Sequence, residues 1–209
     1  METVTRTASA NRRRLAPQLR REEILDAARR CTVSAGDFDV SMREVAREAG
    51  VSRNLVYHYF QNQNALMKAL LERESRRIEE RIEDASAGAG GSVESAVAGV
   101  VDVCLDSMSD FSETLHRAET DEDVRERIAP HIERLRELTA VRLALASGLA
   151  RTGCVHTAFL AGTDFMFRFV RDLGADIRRG RPAAVELCTN VCLASARRAA
   201  EIDRRTLDA

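Results

Sequence analysis

Residues 41–60, SMREVAREAGVSRNLVYHYF, decide the reading of the fold. Ser41 and Glu44 have the S-x-x-E spacing of a capping box, in which each side chain satisfies a backbone N–H that a helix start leaves unpaired. Met42, Val45, Ala46 and Ala49 then recur at helical spacing and give this helix one apolar face. Gly50 follows where a left-handed residue closes a helix, a conformation glycine adopts without steric cost. Ser52 is placed to cap a second helix. Val51 and Val56 fall at the two positions of a hydrophobic staple, and Phe60 lies one turn beyond. With Val56 and Phe60 turned inward, Arg53, Asn54, Leu55, Tyr57 and His58 are left outside. That is an odd face for a merely solvated helix and a sensible one for a helix lying in a DNA groove. The segment reads as a DNA-binding helix-turn-helix.

Working outward, 209 residues allow one small and one medium domain. A hydrophobic content of 44% with 31% charged residues is ordinary for a globular chain, and no apolar run reaches the length of a membrane span. No signal-peptide pattern opens the sequence, so a cytoplasmic location with no membrane partner is expected. The net charge of −1 hides an asymmetry: residues 1–70 carry 12 Lys and Arg against 8 Asp and Glu, and the remainder 20 against 25. A basic N-terminal part suits a polyanion, and an acidic remainder stays clear of it. Lys68 is the single lysine, a skew that fits GC-rich codon usage. The five cysteines lack the paired spacing of zinc modules and read as reduced, buried small side chains.

Residues 1–18 read as a disordered basic arm with Arg6, Arg12, Arg13 and Arg14, able to reach phosphates or a minor groove. A first helix is predicted over Leu19–Ala35, with Ile24, Ala28 and Cys31 on one face and Gly36 beyond its end. The DNA-binding domain is expected over 19–64 and a helical effector-binding and dimerisation domain over 65–209. Asn62 or Asn64 should cap a long helix carrying Leu66, Leu70, Ile78 and Ile82, which ends in the glycine-rich loop 88–91. Further helices are predicted near 93–108, 111–119, 121–151, 156–173 and 182–202. Pro130 should kink or split the helix it interrupts, and Pro182 suits a first turn. The predicted architecture is all-α: an N-terminal three-helix helix-turn-helix unit plus a larger helical body.

On these residues the chain resembles the TetR family of bacterial one-component transcription regulators. The resemblance is carried by Arg21, Ile24, Leu25, Ala27, Ala28, Gly36, Ser41, Val45, Ala46, Ala49, Gly50, Val51, Ser52, Tyr57, Phe60 and Leu66, and covers roughly residues 20–70. Beyond that span the likeness is one of helix number and length. Thr32 stands where the family usually has Phe, a space that Cys31 and Phe38 could fill in part. Gln63 stands where the family usually has Lys reaching a phosphate, which implies a weaker and less salt-dependent contact there. The resemblance implies a homodimer on double-stranded DNA, released by a small-molecule effector, with no cofactor and no catalytic role. Tyr57 is implied in phosphate contact, and His58 or Tyr59 in phosphate or base contact. Arg53 and Asn54 are the candidate base readers, Leu55 could meet a thymine methyl, and Ser41, Arg43, Ser52 and Gln63 complete the candidate DNA-binding set.

In the larger domain Phe159, Phe165, Phe167 and Phe169 crowd one predicted helix. Val155, Phe159, Gly162, Met166, Phe169 and Leu173 share one face; Leu160, Asp164, Phe167 and Arg171 share a second. A helix apolar on two sides needs two partners, which a core or dimer seam could supply, or an effector cavity. Met108, Phe111, Phe159, Leu160, Asp164 and Phe167 form the candidate ligand-binding set, for a largely apolar effector. Val185, Cys188, Cys192, Ser195 and Ala199 form a small-residue stripe, the candidate dimer interface; the face with Leu187 and Val191 is the alternative. Cys188 and Cys192 four apart on a helix are poorly placed to bridge, and His116, His131 and His156 lack metal-ligand partners at useful spacing.

The favoured reading is a ligand-responsive transcriptional regulator, most readily a repressor on a pseudo-palindromic operator. A constitutive or architectural DNA-binding protein with a solid C-terminal core is the alternative. An enzyme with an accessory DNA-binding segment finds no nucleophile–base spacing, phosphate loop or metal box in its support.

Overall fold

A computed structural model describes residues 16–87, 92–111, 116–117, 120–149, 152–173, 176 and 179–207. Eight helices of at least seven residues and no strand are found among them: α1 Pro17–Ala35, α2 Met42–Glu48, α3 Arg53–Tyr59, α4 Gln63–Ala87, α5 Val93–Ser109, α6 Glu122–Ser147, α7 Gly153–Leu173 and α8 Arg181–Leu207. The expected basic arm up to residue 15, the glycine-rich loop 88–91 and most of the helix expected at 111–119 lie outside the described residues. No described helix is long and apolar enough to cross a membrane.

The local signals act as read. The Ser41 hydroxyl accepts from the Glu44 backbone N–H at 3.2 Å and the Glu44 carboxylate accepts from the Ser41 N–H at 2.9 Å, completing the capping box. Such a cap contributes about 1 kcal/mol. Gly36 and Gly50 both sit in the left-handed region, at φ 62° and 64°. Ser52 caps α3 through Leu55, and Asn62 caps α4 through Ala65. Val56 and Phe60 are buried while Tyr57 and His58 are exposed, so the staple sets the rotation of α3. Thr32 is fully buried, its hydroxyl donating to the Ala28 carbonyl at 3.0 Å, and Phe38 is buried in the core of the helix-turn-helix.

Pro130 does not split α6, which runs unbroken from Glu122 to Ser147. Its ring lies on the exposed side, and so does Glu126, whose carbonyl loses a helical donor there and faces water instead. The predicted boundary after residue 64 falls inside the continuous α4, whose Leu66, Met67 and Leu70 belong to the core of the helix-turn-helix. Val124 and Ile128 of α6 close that same core from the other side. A second core, built from α4–α8, centres on Phe159, Leu105, Leu143 and Met166.

Ion pairs add to the junction. Arg29 of α1 reaches Glu74 of α4 at 3.1 Å and also pairs with Asp110 just past α5. Arg73, buried beside them, contacts Glu74 at 2.8 Å, Asp26 at 2.9 Å and Glu22 at 3.3 Å. Burial works against the Arg73 charge, but these carboxylates outweigh it and hold its pKa above the ordinary value. Arg117 pairs with Asp37 at 2.7 Å.

Candidate functional site

Two features stand out, one on α3 and one where the two cores meet. On α3, Arg53, Asn54, Tyr57 and His58 are exposed, while Leu55 and Tyr59 are half-buried. Arg53 lies over the Tyr57 ring, its guanidinium carbon 5.3 Å from the centroid, and donates from Nη2 to the Tyr57 hydroxyl at 3.1 Å. A cation–π contact of this kind contributes about 0.5–1 kcal/mol at an exposed site and holds both groups outward together. His58 meets Tyr59 edge-on at 5.4 Å, and Tyr59 packs partly onto the core. Ser41, Arg43 and Ser52 are exposed at the starts of α2 and α3. Gln63 is engaged: its amide donates to Asp39 at 2.8 Å, so a phosphate contact would first have to release that bond.

The second feature is a cavity of about 70 Å³ between α4, α5, α6 and α7. Leu71, Glu74, Ser75 and Ile78 line it from α4, and Ser107, Met108 and Phe111 from α5 and the residues after it. Ile128, His131, Ile132 and Leu135 line it from α6, Phe167 from α7, and Phe38 from the loop between α1 and α2. Phe38 and Phe111 stack with centroids 6.0 Å apart and planes 13° from parallel. The Ser75 hydroxyl lies 3.4 Å from His131 Nδ1. Burial lowers the His131 pKa from its ordinary value, against the opposing pull of Glu72 and with smaller help from Arg134 and Lys68.

Of the six residues expected around an effector, Met108, Phe111 and Phe167 therefore line the cavity. The other three do not. Phe159 is fully buried within the second core. Leu160 packs onto the edge of that core, and Asp164 is drawn to Arg136 Nη2 at 3.0 Å. The lining from α4 and α6 was missed, although Leu71, Ser75, Ile78 and Ile128, Ile132, Leu135 each recur at helical spacing.

The small-residue stripe on α8 needs a larger correction. Cys188 and Cys192 are fully buried within the single chain, Cys192 against Gly162 of α7. Val185 and Ala199 pack onto the same core, and Ser195 alone of the five is exposed. Close helix approach does require small side chains here, but the approach is between α7 and α8 of one chain. Burial pushes the thiols up, to about 11 for Cys188 and about 12 for Cys192, so neither is a ready thiolate. Exposed apolar side chains on these helices lie elsewhere, at Leu173, Leu187 and Ile202. Among the described residues no group of three or more His, Cys, Asp or Glu is placed to hold a metal ion.

A capped two-helix motif with an exposed aromatic and basic second helix, set on an all-α body, defines a helix-turn-helix protein. Residues 24–70 match the family described as bacterial regulatory proteins, tetR family. Over 61 residues the chain is 39% identical to an uncharacterised HTH-type transcriptional regulator of Mycobacterium tuberculosis, covering 29% of this chain and 30% of that protein. It is 40% identical over 73 residues to the HTH-type transcriptional regulator BetI of Brucella suis, covering 33% of this chain and 37% of that protein. The chain thus spans about a third of the length of these curated relatives. In fold it is similar to a tetR-family transcriptional regulator from Streptomyces coelicolor, with TM-score 0.68 at 19% identity, covering 93% of this chain and 90% of that one. A TetR-like regulator from Rhodococcus gives TM-score 0.63 at 23% identity, covering 86% and 96%. Residues 24–70 thus form a DNA-binding unit of the tetR-family type, on a body whose fold is that of tetR-family regulators.

Proposed function

We propose that this protein is a ligand-responsive transcriptional repressor that binds a pseudo-palindromic operator as a homodimer and leaves it when a small molecule binds. The observation that carries the reading is the outward face of α3, where Arg53, Asn54, Tyr57 and His58 stand free of the core on a helix whose rotation is set by Val56 and Phe60. Arg and Asn can pair bidentately with guanine and adenine edges, and Tyr57 with a phosphate. Two such helices about 34 Å apart would enter successive major grooves. The cavity at the junction of the two cores supports the effector part of the reading. An effector acts by binding better to a state in which the recognition helices are misplaced for the operator.

Titrating a labelled fragment of the neighbouring promoter at two salt concentrations tests this. Affinity should fall steeply with salt, since each neutralised phosphate releases counterions. A flat salt response, or no binding to any upstream fragment, defeats the reading.

A further inference from the structure

The cavity is too small for the effector it is read to hold. At about 70 Å³ it is several-fold below the ~300 Å³ at which small-molecule sites begin, so something in its wall has to yield. Most of the wall is side chains anchored on α4, α6 and α7. The Phe38–Phe111 stack is different: Phe38 sits in the non-helical stretch after α1 and Phe111 in the turn after α5. Neither is held by a helical backbone, and the stack joins the helix-turn-helix to the larger body.

The lining also restricts ligand chemistry. Among the described residues around the cavity, Glu74 carries the one permanent charge, and Arg29, Arg73 and Arg77 already meet it at 3.1, 2.8 and 3.5 Å. A ligand cation would compete with three arginines, and a ligand anion would meet no uncommitted positive group among the described lining residues. Either ion would be desolvated without a partner, at high cost. Beyond Glu74 the lining offers hydrocarbon, the Ser75–His131 pair, and Ser107, whose hydroxyl already accepts from Arg81 at 3.0 Å.

We propose that the cavity takes an uncharged, hydrocarbon-dominated molecule with a single hydrogen-bonding group, and that it makes room by parting Phe38 from Phe111. The proposal rests on the effector reading above and specifies how that effector is recognised and sensed. Parting the stack displaces the loop bearing Asp39 and Ser41, which contact Gln63 of α4 and cap α2. It also loads the contacts that Arg29 makes with Asp110 and with the Phe111 ring, its guanidinium carbon 5.8 Å from the centroid. The helix-turn-helix therefore feels the ligand through a wall of its own binding site.

Three probes with one hydrocarbon tail separate the possibilities: decan-1-ol, decanoate and decylammonium, each titrated calorimetrically into the full-length protein below its micelle-forming concentration. The alcohol should bind at least about tenfold more tightly than either ion. Equal or tighter binding of an ion, or no binding of the alcohol, overturns the assigned chemistry. For the sensing step, 4-fluorophenylalanine placed at position 38 should give a fluorine resonance that moves when decan-1-ol is added. Phe111→Leu, a milder change than any at buried Phe38, should bind decan-1-ol more tightly while weakening its effect on operator affinity. An unmoved fluorine resonance with bound alcohol, or a Phe111→Leu variant with unchanged affinity and coupling, overturns the parting of the stack. The calorimetric and fluorine measurements need no DNA, so a failure of operator binding by the ligand-free protein falls on the proposed function alone.

Discussion

A Cβ built on Gly162 of α7 would stand 2.7 Å from Sγ of Cys192 on α8 and 3.6 Å from its Cα. Cys192 is fully buried, so its thiol has no open side to swing into. In an isolated helix, replacing glycine by alanine gains about 1 kcal/mol. Here the added methyl must push the two helices apart, and overpacking of this kind costs about 1–3 kcal/mol. Gly162→Ala should therefore lower the thermal midpoint in the natural chain. Added to a Cys192→Ala variant, the same substitution should raise it, because the obstructing sulfur is gone. The same sign in both backgrounds would mean that the contact relaxes freely.

Neighbouring positions on α3 should respond in opposite ways. Val56→Asp places a charge in the core of the helix-turn-helix and should cost about 3 kcal/mol or more. Tyr57→Ala removes an exposed ring and its contact with Arg53, so stability should change by less than about 1 kcal/mol while operator affinity falls. Denaturant midpoints and a DNA titration on both variants check this.

For the assembly, Leu187 and Cys192 make a diagnostic pair. Leu187 is 46% exposed on the single chain and Cys192 is 0% exposed. Leu187→Arg should yield a folded monomer by light scattering, with operator affinity reduced because one half-site is engaged at a time. Cys192→Arg should unfold the larger domain instead of splitting a dimer. A folded monomer from Cys192→Arg would return the seam to the buried face of α8.

His131 gives a pH signature. Its folded pKa lies below the ordinary 6.5 through burial, with Glu72 opposing and Arg134 and Lys68 reinforcing the shift. Between the two values the unfolded chain binds more protons, so stability drops as pH falls through about 6.5 and levels off below the folded value. Above about 6.5 the group contributes no pH dependence. His131→Asn should flatten this part of the acid side of the stability curve, as read from urea midpoints at about pH 5 and about pH 8.

Much of the DNA-reading half was legible because its signals are local. Ser41 with Glu44, Gly36, Gly50 and the Val51–Val56 spacing each specify backbone geometry within a few residues, and together they set which face of α3 points outward. The packing of the larger body was harder, for a definite reason. A stripe such as Cys188–Cys192–Ala199 says that another helix comes close, but not whether that helix belongs to the same chain. Phe159 and Phe167 posed the same ambiguity: periodicity put them on different faces of α7 without saying that one meets a core and the other a cavity. Phe38 looked like a filler beside Thr32, and nothing in its neighbourhood along the chain pointed to Phe111, 73 residues away.

The core of the helix-turn-helix is finished by Val124 and Ile128, which arrive on α6 long after α4 has ended. This bears on how the protein can be cut and rejoined. A fragment stopping at the end of α4 would keep every candidate base-reading residue yet leave two apolar plugs missing from the floor beneath them. A chimera that borrows this reading head would do better to carry the first two turns of α6 as well, or to receive two matching apolar side chains from its new host. The candidate base readers on α3 can be exchanged residue by residue, whereas the platform that presents them is assembled from two distant stretches of chain.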